Sequence, residues 1–278
     1  MMTRPFVKMN GAGNDFVVVN ALETPFAPTA DQARAIADRQ TGEGCDQLIA
    51  LEPSKTADAF MRVWNADGGV VETCGNALRC VGWMLLQSTG KDEVSIDTLG
   101  GLTTARRALD GRVTVDMGAP RLDWEQIPLD EAMDTRRIEL QVGPIDDPVL
   151  HTPGAVSMGN PHVVFFMDHA PDDEFVRGTG SLIEHHPRFP EGVNVGFAHV
   201  LAPDLIRLRV WERGAGLTKA CGTGACAALV AASRRGLTGR TARVGVDGGE
   251  LLIAWDEATD HVFMTGPVEV ERTGTLAI

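Results

Sequence analysis

Short alternating or β-branched apolar runs dominate this chain, and few stretches carry a helical period. Val17 to Asn20, Phe60 to Asn65, Val94 to Thr98 and Arg112 to Met117 read as strands, as do His162 to Met167, Val193 to Val200, Ile206 to Glu212, Ala242 to Val246, Leu251 to Trp255 and Val262 to Met264. Three helices are predicted. Thr29 to Gln40 opens on a Thr29/Gln32 capping box and turns Ala33, Ile36 and Ala37 inward. Cys74 to Thr89 stops at Gly90, and its apolar residues wrap most of its circumference, the mark of a buried helix. Cys221 to Arg235 is Ala-rich, places Arg234 and Arg235 at its C-terminal dipole and stops at Gly236. The class is α+β: strands gathered around a few buried helices.

The pattern occurs twice. Arg62-Val63-Trp64, Gly69 and Cys74-Gly75 return 147 residues later as Arg209-Val210-Trp211, Gly216 and Cys221-Gly222. Gly13-Asn14 and Val17-Val18 return 146 residues later as Gly159-Asn160 and Val163-Val164. An internal duplication is the simplest account. The boundary is predicted near Asp116 to Pro120, which gives domains of residues 1–118 and 119–265.

Composition narrows the function classes. The chain has 278 residues, 44% of them hydrophobic and 23% charged, which is ordinary globular usage. No apolar run reaches the ~20 residues of a membrane helix, and the N-terminus carries no secretory signal, so a cytoplasmic protein without a membrane partner is expected. A net charge of -13 opposes binding to nucleic acid. With no tyrosine present, no phenol can serve as an acid. Five cysteines are too few, and odd in number, for a disulfide scaffold.

Cys74 and Cys221 each stand at a predicted helix start, a setting that lowers a thiol pKa from its ordinary ~8.5. Gly75 and Gly222 leave the following N–H groups uncovered, where a carboxylate can bind. Pseudo-symmetry predicts two such sites facing one substrate, with one thiol removing an α-proton and the other returning one to the opposite face. Asn14 and Asn160, Gln47 and Asn194, and Asn65 and Glu212 occupy equivalent places, and Arg213 follows. Singly, the asparagines read as turn residues and Arg213 as a surface ion pair; together they read as a polar lining, with Arg213 able to hold a carboxylate bidentately. His162 is either a satisfied structural histidine or a neighbour that tunes a thiol. Cys45, Cys80 and Cys226 read as small core residues. A zinc site of Cys74, Cys80, Cys221 and Cys226 has unsuitable spacing, so no metal is expected. Gly11-Ala12-Gly13 lacks the spacing of a nucleotide loop.

These residues resemble a known family. Gly11-Ala12-Gly13-Asn14-Asp15-Phe16, Cys45-Asp46-Gln47, Asn65-Ala66-Asp67-Gly68, Cys74-Gly75-Asn76, Gly159-Asn160-Pro161-His162, Glu212-Arg213-Gly214-Ala215-Gly216 and Ala220-Cys221-Gly222-Thr223-Gly224 look like diaminopimelate epimerase, in order and to Thr265-Gly266-Pro267. The resemblance implies two pseudo-symmetric domains, each a β-barrel-like sheet around a central helix, the first completed by a last strand at about residues 266–278. It implies cofactor-independent epimerisation of LL-2,6-diaminopimelate to the meso form, in lysine and peptidoglycan synthesis. Edge strands in each half point to a homodimer. Position by position the resemblance makes Cys74 and Cys221 the acid and base. It makes Asn14, Gln47, Asn65, Asn160, Asn194, Glu212 and Arg213 substrate-binding. Gly75, Asn76, Gly222 and Thr223 hold the reacting carboxylate, and His162 and Glu212 tune the thiols. One departure is Ala77, where the family usually has Gly. A helical Ala77 is expected to be harmless.

Two other classes fit the same residues. One is an amino-acid racemase similar to proline racemase, which needs no clamp for a distal charged group. The other is a thiol redox or non-catalytic binding protein. A pyridoxal phosphate enzyme needs a Schiff-base lysine, and none of Lys8, Lys55, Lys91 and Lys219 sits in a recognisable phosphate cradle.

Overall fold

The computed structural model describes residues 3–72 and 74–277. The chain divides into two compact units, Met1–Asp116 with Thr265–Ile278, and Met117–Met264.

In the first unit, strand Asn14–Asn20 pairs antiparallel with Thr3–Gly11, setting Lys8 opposite Val17. It pairs parallel with Gln47–Glu52, setting Phe16 opposite Gln47. Gln47–Glu52 then pairs antiparallel with Ala59–Asn65, Leu48 opposite Trp64. The second unit repeats this register. Pro161–Phe166 pairs antiparallel with Gly154–Ser157, Ala155 opposite Val163, and parallel with Asn194–Ala202, His162 opposite Asn194. Asn194–Ala202 pairs antiparallel with Leu205–Glu212, Val195 opposite Trp211. Sequence offsets of 146 and 147 therefore correspond to equivalent ladder positions, which establishes the duplication. The C-terminal strand Glu269–Ala277 lies antiparallel to Thr3–Gly11 in the first unit.

Four α-helices are present among the described residues: α1 (Ala30–Ala37), α2 (Gly75–Thr89), α3 (Asp173–Glu184) and α4 (Gly222–Arg234). Helix α4 packs on six strands of its own unit: Gly154–Ser157, Pro161–Phe166, Asn194–Ala202, Leu205–Glu212, Thr241–Val246 and Gly249–Trp255. Six strands laid flat span about 24 Å, whereas a helix is about 10–12 Å wide. The sheet must curve around the helix for all six to reach it. Helix α2 packs in the same way on Thr3–Gly11, Asn14–Asn20, Glu93–Thr98, Gly101–Arg107 and Val113–Asp116. Both helices are apolar nearly all round because both are enclosed. Helix α2 stops at Gly90 in the left-handed conformation (φ 69), and α4 is followed by Gly236 at φ 70.

Three sequence expectations need revision. Helix α1 has the expected Thr29/Gln32 capping box but ends at Ala37, not Gln40. The Asp38 carboxylate takes the N–H groups of Gln40 and Thr41 and turns the chain out of the helix. Helix α3 was not anticipated, because Gly178 and Gly180 depress its propensity. Its start is nevertheless capped by the Asp172 side chain on Phe175 N–H, and a Cβ at Gly180 would lie 2.5 Å from Trp211 Cβ. Strands Thr3–Gly11, Gln47–Glu52, Gly101–Arg107 and Gly154–Ser157 also went unread.

Helix α2 and strand Gly101–Arg107 approach closely at Gly82, where a Cβ would come within 2.4 Å of Ala105 Cβ. The Ala105 methyl is fixed to its strand and cannot swing aside. Gly82→Ala is therefore expected to lower unfolding free energy by about 1–3 kcal/mol despite its better helix propensity. Chemical denaturation checks this, and unchanged or raised stability contradicts it.

Candidate active site

In each unit a cysteine is the cap of the enclosed helix. Cys74 precedes α2 and Cys221 precedes α4, with closely similar extended backbones (φ -145, ψ 115 and φ -125, ψ 109). Gly75 and Gly222 are the first helical residues, so no side chain stands at the first helical position to cover its own N–H. Ala77 lies inside α2, buried and outside the positive-φ residues, so it carries no backbone strain.

The second unit assembles most of the expected residues. Cys221 is 5% exposed. Its Sγ accepts the Gly224 N–H at 3.3 Å and lies 3.5 Å from Thr223 Oγ1. Thr223 Oγ1 in turn meets Asn160 Nδ2 at 3.2 Å and His162 Nε2 at 3.0 Å. Asn160 Oδ1 lies 3.0 Å from the same imidazole nitrogen. Burial pushes the Cys221 thiol well above its ordinary pKa, and the Glu212 carboxylate pushes it further. The Thr223 hydroxyl and Gly224 N–H act in the opposite direction without reversing the result. The sequence expectation of a lowered pKa thus fails at Cys221, because desolvation outweighs the helix start.

His162 is 1% exposed, and burial with the nearby Arg213 charge lowers its pKa to about 3. It is a neutral ring, hydrogen-bonded to Thr223 and one hydroxyl away from the sulfur. Asn194 is fixed from both ends: Nδ2 donates to Pro161 O at 2.8 Å, and Oδ1 accepts the Arg213 N–H at 2.9 Å. Arg213 also donates to Glu191 O at 2.8 Å. Thr218 donates its hydroxyl to Glu212.

In the first unit, Asn76 Nδ2 donates to Asn14 Oδ1 at 2.6 Å, and Asn76 Oδ1 accepts from Arg79 at 2.7 Å. Gln47 Nε2 donates to Asn65 Oδ1 at 2.9 Å. Asn14 starts its strand after a two-residue hairpin whose Ala12 is left-handed (φ 57), a conformation costing roughly 1–2 kcal/mol for a residue with a Cβ.

Several supporting residues escaped the sequence reading. Asp46 accepts from Asn14 Nδ2 at 3.2 Å and orients that amide. Asp46 is held by Arg39, which also grips Asp15; Lys8 completes the cluster. Burial pushes the Asp15 carboxyl up, but Arg39 and Lys8 more than offset it and hold it well below the usual carboxylate range. Glu184, at the end of α3, accepts from Trp211 Nε1 at 2.7 Å and Gly214 N at 2.8 Å, fixing the end of strand Leu205–Glu212 and the turn that carries Arg213. Asp46 stood within a recognised motif. Glu184 lies outside the repeated segments that the sequence reading aligned. Cys45, Cys80 and Cys226 are core residues; burial raises Cys45 to about 11 and Cys80 to about 12.

The diaminopimelate epimerase family model matches residues 6–122 and 154–271. The chain belongs to the diaminopimelate epimerase family. It is 61% identical to a curated diaminopimelate epimerase of Caulobacter vibrioides strain NA1000, over 99% of this chain and 98% of that protein. It is 52% identical to one from Rhodospirillum centenum, over 99% and 93%. Among solved structures, a hydroxyproline epimerase from Agrobacterium vitis superposes with a TM-score of 0.69 at 16% identity, covering 99% of this chain and 93% of that one. A probable proline racemase from Agrobacterium radiobacter gives 0.66 at 19%, with the same coverages. At those identities the likeness is one of fold. Among the described residues, no helix of this family member is long and apolar enough to cross a membrane.

An unfolded histidine takes its proton near 6.5, while folded His162 stays neutral down to about 3. Below 6.5 the unfolded chain therefore binds the extra proton, and stability attributable to His162 falls as pH drops from about 6.5 to about 3. Nitrogen NMR of the imidazole is expected to show an uncharged ring at about pH 5. An imidazolium signal from His162 there contradicts the assignment.

Proposed function

We propose that this protein is a cofactor-independent isomerase that converts LL-2,6-diaminopimelate to meso-diaminopimelate by two-thiol proton transfer. The observation that carries this reading is the pair of cysteine-capped helix starts at equivalent positions of a duplicated fold, in a chain 61% identical to a curated diaminopimelate epimerase.

First-turn N–H groups and the side chains of Asn76 and Thr223 hold the reacting carboxylate. They take up the charge that develops as the α-carbon loses its proton. The thiol pair shares one proton. Cys221, buried beside Glu212, rests as the neutral thiol and acts as the acid, so Cys74 starts as the base. The roles exchange in the reverse direction. Asn14, Gln47, Asn65, Asn160, Asn194 and Glu212 line the substrate, and Arg213 clamps the distal carboxylate. His162 tunes Cys221 through Thr223. The two units serve as the two epimerase domains. A cytoplasmic homodimer in lysine and peptidoglycan precursor synthesis fits the same reading.

The proline-racemase-like alternative shares the fold and the thiols. The two readings separate on Arg213, which only a substrate charged at both ends requires. Reduced protein without added cofactor is expected to form the meso isomer from the LL isomer, scored by chiral chromatography. Cys74→Ser and Cys221→Ser are each expected to lose at least about 100-fold in kcat while still binding substrate. Arg213→Gln is expected to raise KM more than it lowers kcat. Turnover of proline but not diaminopimelate favours the racemase reading. Wild-type rates in both serine variants overturn the thiol mechanism.

A further inference from the structure

Asn14 and Gln47, two amides of the proposed substrate lining, start neighbouring parallel strands of the first unit. Beside them, Asp15 and Asp46 hold each other crosswise. Asp15 Oδ1 accepts the Asp46 N–H at 3.0 Å, an N–H that also bonds Asp15 O, and Asp46 Oδ2 accepts the Asp15 N–H at 3.1 Å. This brace fixes the backbone at both amides, because Asn14 precedes Asp15 and Gln47 follows Asp46. It also reaches one side chain directly: Asp46 Oδ2 takes Asn14 Nδ2 at 3.2 Å.

Such a brace sets two carboxylates against each other, and like charges at close range repel. Arg39 removes the conflict. Its guanidinium is bidentate on Asp15, Nη1 to Oδ2 at 3.0 Å and Nη2 to Oδ1 at 2.7 Å, and the same Nη2 reaches Asp46 Oδ1 at 2.7 Å. Lys8 adds a cation on Asp15, at 2.7 Å. Among the described residues, only Arg39 bonds to both carboxylates. A single exposed ion pair contributes little, but a bidentate guanidinium shared by two carboxylates is the geometry that does contribute. The Arg39 stem is held as well: a Cβ at the left-handed Gly44 (φ 70) would lie 3.1 Å from Arg39 Cα and 3.3 Å from its Cγ. The second unit solves the same junction without charge. Pro161 and Val193 stand there in place of Asp15 and Asp46, and Asn194 Nδ2 ties the strands by donating to Pro161 O at 2.8 Å.

We propose that Arg39 is a positioning residue: by neutralising the Asp15–Asp46 brace it holds Asn14 and Gln47 where they line the substrate. The catalytic meaning rests on the epimerase reading, but the brace itself is measured without turnover.

The test uses the full reduced chain carrying Arg39→Gln, Asp46→Asn or both. Hydrogen exchange followed by NMR reads the brace. Arg39→Gln is expected to speed exchange of the Asp15 N–H at least about 10-fold, while Val18 and Ile49, opposite each other further along the same strands, keep their rates. Initial rates with LL-2,6-diaminopimelate read the site. Arg39→Gln is expected to raise KM about 10-fold and to change kcat by less than about 3-fold. Rescue supplies the distinguishing sign. With Arg39 present, Asp46→Asn turns an NH2 group onto other donors and is expected to raise KM about 3-fold. With Arg39→Gln, the same change removes the repulsion, so the double variant is expected to have a KM at least about 3-fold below that of Arg39→Gln. Losses that multiply instead overturn the proposal, as does folded Arg39→Gln with unchanged exchange or unchanged KM. If Arg39→Gln fails to fold, Arg39→Lys decides. It keeps the charge without the planar fork and is expected to show both changes at about 3-fold; neither change in folded Arg39→Lys overturns the proposal. Faster Asp15 exchange in the variant, with no epimerisation by the wild type, leaves the role of Arg39 in the brace intact and overturns the epimerase reading. Epimerisation by the wild type, with neither exchange nor KM moved by Arg39→Gln, does the reverse.

Discussion

The first N–H groups of a helix have no partner within the helix, and in the proposed mechanism the chemistry of this protein grows from that constraint. Both enclosed helices start with cysteine followed by glycine. Sulfur is a weak acceptor, and glycine covers nothing. The N–H groups at each helix start are thus under-satisfied by the chain itself, and a carboxylate suits them well. In the proposed reading the same cap position holds the thiol beside the bound carboxylate. In the proposed mechanism one local arrangement, used twice, supplies both an anion site and a proton-transfer group.

Around this shared frame the two units diverge where electrostatics demands it. Phe16 and His162 occupy equivalent ladder positions, one opposite Gln47 and the other opposite Asn194. Asn65 stands where the second unit has Glu212, and Arg79 where it has Cys226. Each exchange separates the two environments. The second thiol is buried beside a carboxylate and bonded to its helix, which favours its neutral form. The first unit carries a fully buried arginine below its helix start, bonded to Asn76. In the proposed mechanism such inequality keeps one thiol protonated and the other ionised, so that an acid and a base are both present.

Much of this was legible in the sequence, and for physical reasons. The repeated Arg-Val-Trp and Cys-Gly segments carry the register, and strand pairing preserves sequence offset. The all-apolar circumference of α2 betrays its enclosure, and Gly90 and Gly236 mark the ends of α2 and α4. What escaped was decided by tertiary contact. Helix α3 tolerates Gly180 only because Trp211 fills the space a side chain would take. Glu184 reaches Trp211 and Gly214 across more than twenty residues of sequence, and no local pattern reports that. Cys221 was expected to be acidified by its helix start, but the depth of its burial, invisible along the chain, sets the opposite direction.

In the proposed mechanism different sulfurs remove and return the α-proton. The most direct measurement is the initial-rate partition of solvent deuterium, with protiated LL-2,6-diaminopimelate turned over in D2O and stopped at low conversion. Two unequal thiols predict a meso product carrying solvent deuterium at the inverted α-carbon, while the recovered LL substrate remains protiated. Product that retains the substrate's own proton, or recovered substrate labelled as fast as product forms, would show a single group serving both faces and contradict the account.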